Sequence, residues 1–102
     1  MDKTEAFENV KKYIAFLKRH DFDIRKAYLF GSYIKGHFND DSDIDLAVVM
    51  NNLLNGYTMQ VELMKISRKF DTRIEPHPFD EIDFDHSNPF AHEILSTGVR
   101  IL

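Results

Sequence analysis

The most informative part of the sequence runs from residue 29 to residue 49 and reads LFGSYIKGHFNDDSDIDLAVV. Gly31 and Ser32 end a short aromatic and apolar segment, which is predicted to be a strand. After a short polar loop at residues 39–42, Asp43 and Asp45 open a nearly continuous apolar run. Such a run is typical of a central strand that is covered on both faces.

The two aspartates at the start of this second strand predict a cation site. Residues two apart in a strand point to the same face, so the carboxylates of Asp43 and Asp45 project from one side. Carboxylates that lie so near to each other repel unless one of them is protonated or paired. A magnesium ion relieves this repulsion, because it binds a few carboxylate oxygens together with waters and substrate phosphates.

The Gly-Ser pair predicts the complementary half of the site. A glycine where a strand turns lets the backbone approach a ligand closely. The amides that follow Gly31, and the Ser32 hydroxyl, can donate hydrogen bonds to phosphate oxygens, especially if they open a helix. We therefore expect a triphosphate at residues 31–32 and the metal at the acids.

A third acid is expected from the next strand. Four side chains alternate along it and so share one face: Asp71, Arg73, Glu75 and His77. We select Glu75 as the third acid, because it lies inside the predicted strand, whereas Asp71 lies at the start of that strand. Two-metal sites hold ions about 3.5–4 Å apart, and Glu75 would bind the first ion or take the acceptor's proton. The alternative for Glu75 is an exposed acid that pairs with Arg73 or Lys69. His77 could approach the site from this strand, but we expect a surface role for it.

Apolar periodicity predicts the remaining elements. Helices are expected at residues 3–20 and 57–70 and from Asn88 to Gly98. Strands are expected at residues 26–30, 43–50, 71–79 and 99–102. The strand at 71–79 is expected to end where its two prolines prevent regular pairing. This order indicates an α+β domain, a small mixed β-sheet with helices packed on one side. The length fits a single domain over residues 1–102.

Composition limits the classes of function. Thirteen Lys and Arg against 17 Asp and Glu give a net charge of −4, which argues against binding long nucleic acid. The absence of cysteine excludes disulfides and cysteine-ligated zinc. No apolar run is long enough to span a membrane, and the first twenty residues contain no signal-peptide core. We expect a soluble, cytoplasmic protein.

The run Gly31-Ser32, Gly36 and Ser42-Asp43-Ile44-Asp45-Leu46 resembles the signature of the DNA polymerase β-like nucleotidyltransferase superfamily. With its length, the chain is similar to the minimal nucleotidyltransferase (MNT) branch. The resemblance implies a nucleotidyltransferase fold and magnesium-dependent transfer of a nucleoside monophosphate, AMP from ATP. Tyr33 departs from the small or basic residues that often follow the serine.

The resemblance also implies roles for individual residues. Gly31 and Ser32 would grip the triphosphate, and further nucleotide contacts would come from Lys35 and Ser42. The catalytic and metal-binding set would be Asp43, Asp45 and Glu75, holding two magnesium ions. Many relatives carry aspartate at the third position, so the glutamate is a departure from the family pattern.

Minimal members of this superfamily are often the antitoxins of helical HEPN toxins. The resemblance therefore implies a HEPN protein partner that accepts AMP on a hydroxyl, that of a tyrosine. Two alternatives stay open. One is a non-catalytic binding module with a vestigial nucleotide site. The other is a small-molecule nucleotidyltransferase whose acceptor site forms across a homodimer or with a separate helical subunit.

Overall fold

The computed structural model describes residues 3–36 and 42–102. The predicted loop at residues 39–42 therefore lies almost wholly outside the described residues. The helices are α1 (Lys3–Arg19), α2 (Ser32–Lys35), α3 (Gly56–Ser67) and α4 (Pro89–Thr97), with a 3₁₀ turn at Glu81–Asp83. The strands are β1 (Ile24–Phe30), β2 (Ile44–Met50), β3 (Ile74–Asp80) and β4 (Val99–Arg100).

The four strands form one mixed sheet in the order β3-β2-β1-β4. β1 is antiparallel to both β2 and β4, whereas β2 and β3 are parallel. The predicted α+β class and the small mixed sheet are confirmed. The antiparallel pairing brings the end of β1, at Phe30, beside the start of β2, at Asp45.

The two faces of the sheet are covered by different helices. The even-numbered residues of β2, such as Ile44 and Leu46, belong to the same buried cluster as apolar residues of α1 and α3. Ala47 and Val49 face the other way and pack in a second cluster with Ala91 of α4. The predicted packing of all helices on one side of the sheet therefore holds for α1 and α3, whereas α4 packs on the opposite face. A strand that is apolar on both faces needs cover on both.

β3 differs from its prediction at both ends. It begins at Ile74 rather than at residue 71, and it continues through Pro76 and Pro78 to Asp80. Proline is tolerated here because β3 is an edge strand, where an amide on the open side needs no partner strand. The Pro76 carbonyl accepts a hydrogen bond of 3.1 Å from the Gln60 side chain of α3.

α4 begins and ends where the sequence predicts. The Asn88 side-chain oxygen accepts hydrogen bonds from the amides of Phe90 (3.0 Å) and Ala91 (3.2 Å), which fixes the first turn. Gly98 ends the helix, and its amide donates to the Ile94 carbonyl at 2.7 Å. Within the described ranges, no helix combines the length and the apolar character needed to cross a membrane.

Candidate active site

Asp45 and Glu75 occupy matching positions on neighbouring strands. Their Cα atoms are register partners in the parallel pairing of β2 and β3. Partners in a ladder project to the same face, so both carboxylates stand on the face that α4 also covers. Asp43 lies just before β2 and is exposed, whereas Asp45 and Glu75 are half-buried.

The electrostatic environment of Glu75 includes both aspartates. Burial raises this pKa, and a hydrogen bond with Asp43 raises it further. The negative charges of Asp43 and Asp45 act in the same direction, while His77 opposes them. The structure therefore brings Asp43, Asp45 and Glu75 together into one strongly acidic cluster.

Gly31 places the strand-to-helix turn directly against this cluster. Its φ of +79° and ψ of −153° fall in a region that side-chain-bearing residues avoid. A Cβ atom added to Gly31 would lie 2.4 Å from Oδ2 of Asp45. Only a residue without a side chain allows the backbone and the carboxylate to approach so closely.

The other predicted nucleotide contacts lie around this turn. Ser32 is the first residue of α2 and is half-buried. Ser42 is half-buried and directly precedes Asp43. Lys35 is the last residue of α2, but its side chain lies outside the described part of the structure.

His77 lies against the acidic cluster, whereas we expected a surface role for it from the sequence. Its Nε2 atom lies 3.2 Å from Oδ1 of Asp45, and its side chain is only 23% exposed. The ring also contacts Phe30, with centroids 5.3 Å apart. The signal was present in the sequence, because His77 lies two residues after Glu75 and so shares its strand face.

Asp71 and Arg73 do not belong to the acidic cluster, contrary to the predicted shared face. Both precede β3, where the strand alternation does not apply. Arg73 Nη2 lies 2.8 Å from Oδ2 of Asp71, and Arg73 Nε donates to Oδ1 at 3.0 Å. Arg73, which was an alternative partner for Glu75, therefore pairs with Asp71 instead.

This ion pair is the centre of a partly buried network. Asn9 of α1 donates to Oδ2 of Asp71 at 3.1 Å, and Arg73 Nη1 donates to the Tyr33 hydroxyl at 2.6 Å. Tyr33 lies in α2, directly after Ser32, and is 1% exposed. Its departure from the family pattern therefore has a structural reason, since it joins the turn at Gly31 to the start of β3.

Replacing Asp71 with Asn is expected to lower the free energy of unfolding by about 3 kcal/mol, because Arg73 then keeps a buried charge without its counterion. The side-chain hydrogen bond from Arg73 is the main cause that lowers the pKa of Asp71 to about 2. A lowered carboxyl pKa stabilises the fold above the unfolded pKa and loses this effect as pH falls. The difference between variant and wild type in urea unfolding should therefore shrink from pH 4 towards pH 2.

Asp23 provides the matched control for this prediction. It also pairs with an arginine two residues later, Arg25, at 2.9 Å, but both side chains are about half exposed. Exposed pairs contribute little, so Asp23→Asn should leave the unfolding midpoint nearly unchanged. Equal effects of the two substitutions would contradict the structural role assigned to Asp71.

Residues 11–102 match the family described as Polymerase beta, Nucleotidyltransferase. The chain belongs to this nucleotidyltransferase family. The match contains the Gly-Ser turn, the two aspartates and Glu75, so the acidic cluster lies within the family's own domain. No curated protein sequence matches the chain significantly.

Solved structures similar to this nucleotidyltransferase include two that are described as toxin–antitoxin structures. A toxin–antitoxin with AMP-PNP has a TM-score of 0.64 and 20% identity, covering 100% of this chain and 73% of that one. The toxin–antitoxin MntA-HepT has a TM-score of 0.61 and 22% identity, covering 92% and 69%. A putative nucleotidyltransferase from Sulfolobus solfataricus has a TM-score of 0.53 and 23% identity, covering 79% and 68%. At these identities the likeness shows the fold.

The acidic cluster is chemically suited to magnesium. Among residues 3–36 and 42–102, no three His, Asp or Glu side chains are arranged to hold a metal ion as they stand. Asp45 instead contacts His77, and Glu75 is hydrogen-bonded to Asp43. The available ligands are nevertheless carboxylate oxygens, which magnesium prefers. A cation would also relieve the repulsion that raises the pKa of Glu75.

Proposed function

We propose that the protein transfers AMP from ATP to a hydroxyl group of a partner protein. The single observation that carries this proposal is the close approach of the Asp45 carboxylate to Gly31, which leaves no room for a Cβ atom, with Asp43 and Glu75 beside it. A turn that can receive phosphates and a set of acids that can hold a cation are thereby adjacent. Phosphoryl transfer depends mainly on such positioning and on the neutralisation of charge.

Asp43, Asp45 and Glu75 would hold magnesium, with two ions expected. When bound, magnesium would supply the positive charge that a transferring phosphoryl group requires. Glu75 would also accept the proton of the attacking hydroxyl on a carboxylate oxygen. Burial raises the pKa of Glu75 in the metal-free site, which favours this role when the carboxylate is not bound to a cation.

The nucleotide would lie along the turn between β1 and α2. The backbone at Gly31 and the Ser32 hydroxyl would contact the triphosphate, and Lys35 and Ser42 would add contacts at its edges. The acceptor oxygen would attack the α-phosphorus, and pyrophosphate would leave. The network of Tyr33, Arg73 and Asp71 would keep this turn at a constant distance from Glu75, because it joins α2 to the start of β3.

A toxin partner is proposed from the kind of protein that shares this fold. Two of the similar structures are toxin–antitoxin systems, and one of them is described with AMP-PNP. We propose that this protein is the antitoxin of a helical HEPN protein and that the acceptor is a tyrosine hydroxyl of that partner. The competing functions are neutralisation by binding alone and transfer to a small molecule with a second subunit.

Co-expression with a helical protein encoded next to this chain tests the proposal. The expected result is a partner whose mass increases by whole AMP units, located by fragmentation on one side chain. Purified partner should gain the same adduct with ATP and magnesium, but not when the metal is chelated. A partner that is neutralised without an adduct would favour binding alone. Transfer to a small acceptor, with the partner unmodified, would favour the third function.

A further inference from the structure

Three aromatic rings stand together on the sheet face that carries the acids: Phe30, His77 and Phe90. The ring centroids of Phe30 and His77 are 5.3 Å apart, and those of Phe30 and Phe90 are 5.7 Å apart. His77 and Phe90 close the triangle at 6.2 Å. Each ring thus contacts both of the others, and we call this group the ring cluster.

The ring cluster borders the acidic cluster directly. Phe30 is the register partner of Asp45 across β1 and β2, so its ring stands on the same face beside that carboxylate. His77 Nε2 lies 3.2 Å from Oδ1 of Asp45. A molecule that reaches Asp45 therefore lies one side chain away from these rings.

Phe90 is the accessible member of the cluster. It is 46% exposed, whereas the neighbouring aromatic residues Tyr28 and Phe84 are each 7% exposed. Its backbone is held by the Asn88 side chain at the start of α4, and its ring also contacts Phe79 at 5.4 Å. Single exposed apolar residues are common on proteins. What distinguishes Phe90 is that its ring is held in place and open beside the acids.

We propose that Phe90, together with His77, binds a planar aromatic ring of one of the two reactants. Aromatic side chains bind such rings by stacking or by edge-to-face contact, and they do so with little dependence on the ring's identity. Two reactants of the proposed transfer carry a planar ring, the nucleobase of ATP and the phenol of a tyrosine acceptor. The inference rests on the proposed function for the identity of these reactants.

The test measures ring binding separately from phosphate binding. The probes are adenosine and N-acetyltyrosinamide, which lack a triphosphate, and inorganic tripolyphosphate with magnesium, which lacks a ring. NMR of the wild type should show that at least one ring probe shifts the Phe90 and His77 resonances. Phe90→Ala should weaken that probe by roughly five- to tenfold, and leave tripolyphosphate binding unchanged.

Two further variants keep the test decisive. Phe90→Leu retains apolar bulk without an aromatic face, and serves if Phe90→Ala unfolds. Tyr57→Ala removes an aromatic ring that is 79% exposed on α3, away from the acids, and should change nothing. Thermal unfolding of each variant checks the fold.

The outcomes separate the two possible ligands and the two proposals. A response to adenosine alone assigns the nucleobase, and a response to N-acetyltyrosinamide alone assigns the acceptor ring. The inference is overturned if neither probe shifts Phe90 or His77, or if the Phe90 variants bind the probes as tightly as Tyr57→Ala does. Failure of tripolyphosphate and ATP to bind the wild type would contradict the proposed transfer while leaving the ring result intact.

Discussion

Replacing Asp45 with Asn is expected to reduce AMP transfer by a factor on the order of 10² to 10³ and to leave the fold at least as stable as the wild type. The amide has nearly the size of the carboxylate, so it keeps the fit against Gly31 and His77. It removes the charge that would hold magnesium. It also removes one of the charges that raise the pKa of Glu75, and so relieves repulsion within the acidic cluster.

Activity and stability should therefore change in different directions. Initial rates of label transfer from ATP to the partner measure the activity, and thermal unfolding without metal measures the stability. Asp83→Asn is the matched control, because Asp83 is an exposed acid in the 3₁₀ turn beyond the opposite end of β3 from Glu75. If Asp45→Asn transfers as fast as Asp83→Asn, the proposed mechanism is wrong.

Replacing Gly31 with Ala is the second substitution with a large expected effect. The new Cβ would lie 2.4 Å from Oδ2 of Asp45, and alanine would have to adopt a φ of +79°. We expect the free energy of unfolding to fall by about 3 kcal/mol, from backbone strain and overpacking together. We also expect transfer to fall at least on the order of 10²-fold, because the acid and the turn are pushed apart.

Gly36→Ala is the control for a positive φ without a nearby carboxylate. Gly36 also has a positive φ, of +82°, but a Cβ there would meet no atom within 4 Å. Gly36 has an ordinary left-handed ψ of 11°, whereas Gly31 has a ψ of −153° that is nearly restricted to glycine, so this variant should show only the smaller strain of a positive φ, about 1 kcal/mol, and retain transfer. Urea unfolding and the label-transfer assay on the same preparations measure both effects. Equal loss of transfer in the two variants would show that contact with Asp45 is not the reason for a glycine at position 31.

The sequence was sufficient wherever a local pattern determines the structure. The apolar run after Asp45 predicts a central strand, because a strand covered on both faces has few polar positions. Asn88, Pro89 and Gly98 predict the limits of α4, since capping depends on neighbouring residues in the chain. The spacing of Asp43 and Asp45 likewise predicts two nearby carboxylates.

The sequence suggested Glu75 as the third acid, but only the tertiary structure decided how distant residues join these local features. The parallel register of β2 and β3 places Glu75 beside Asp45, and the same register brings His77 to that carboxylate. The edge position of β3 accommodates its prolines. Because the strand begins only at Ile74, Arg73 precedes it and pairs with Asp71. The position of α4 on the acidic face places Phe90 near the site. Strand order, register and helix position depend on long-range packing, which no short stretch of sequence encodes.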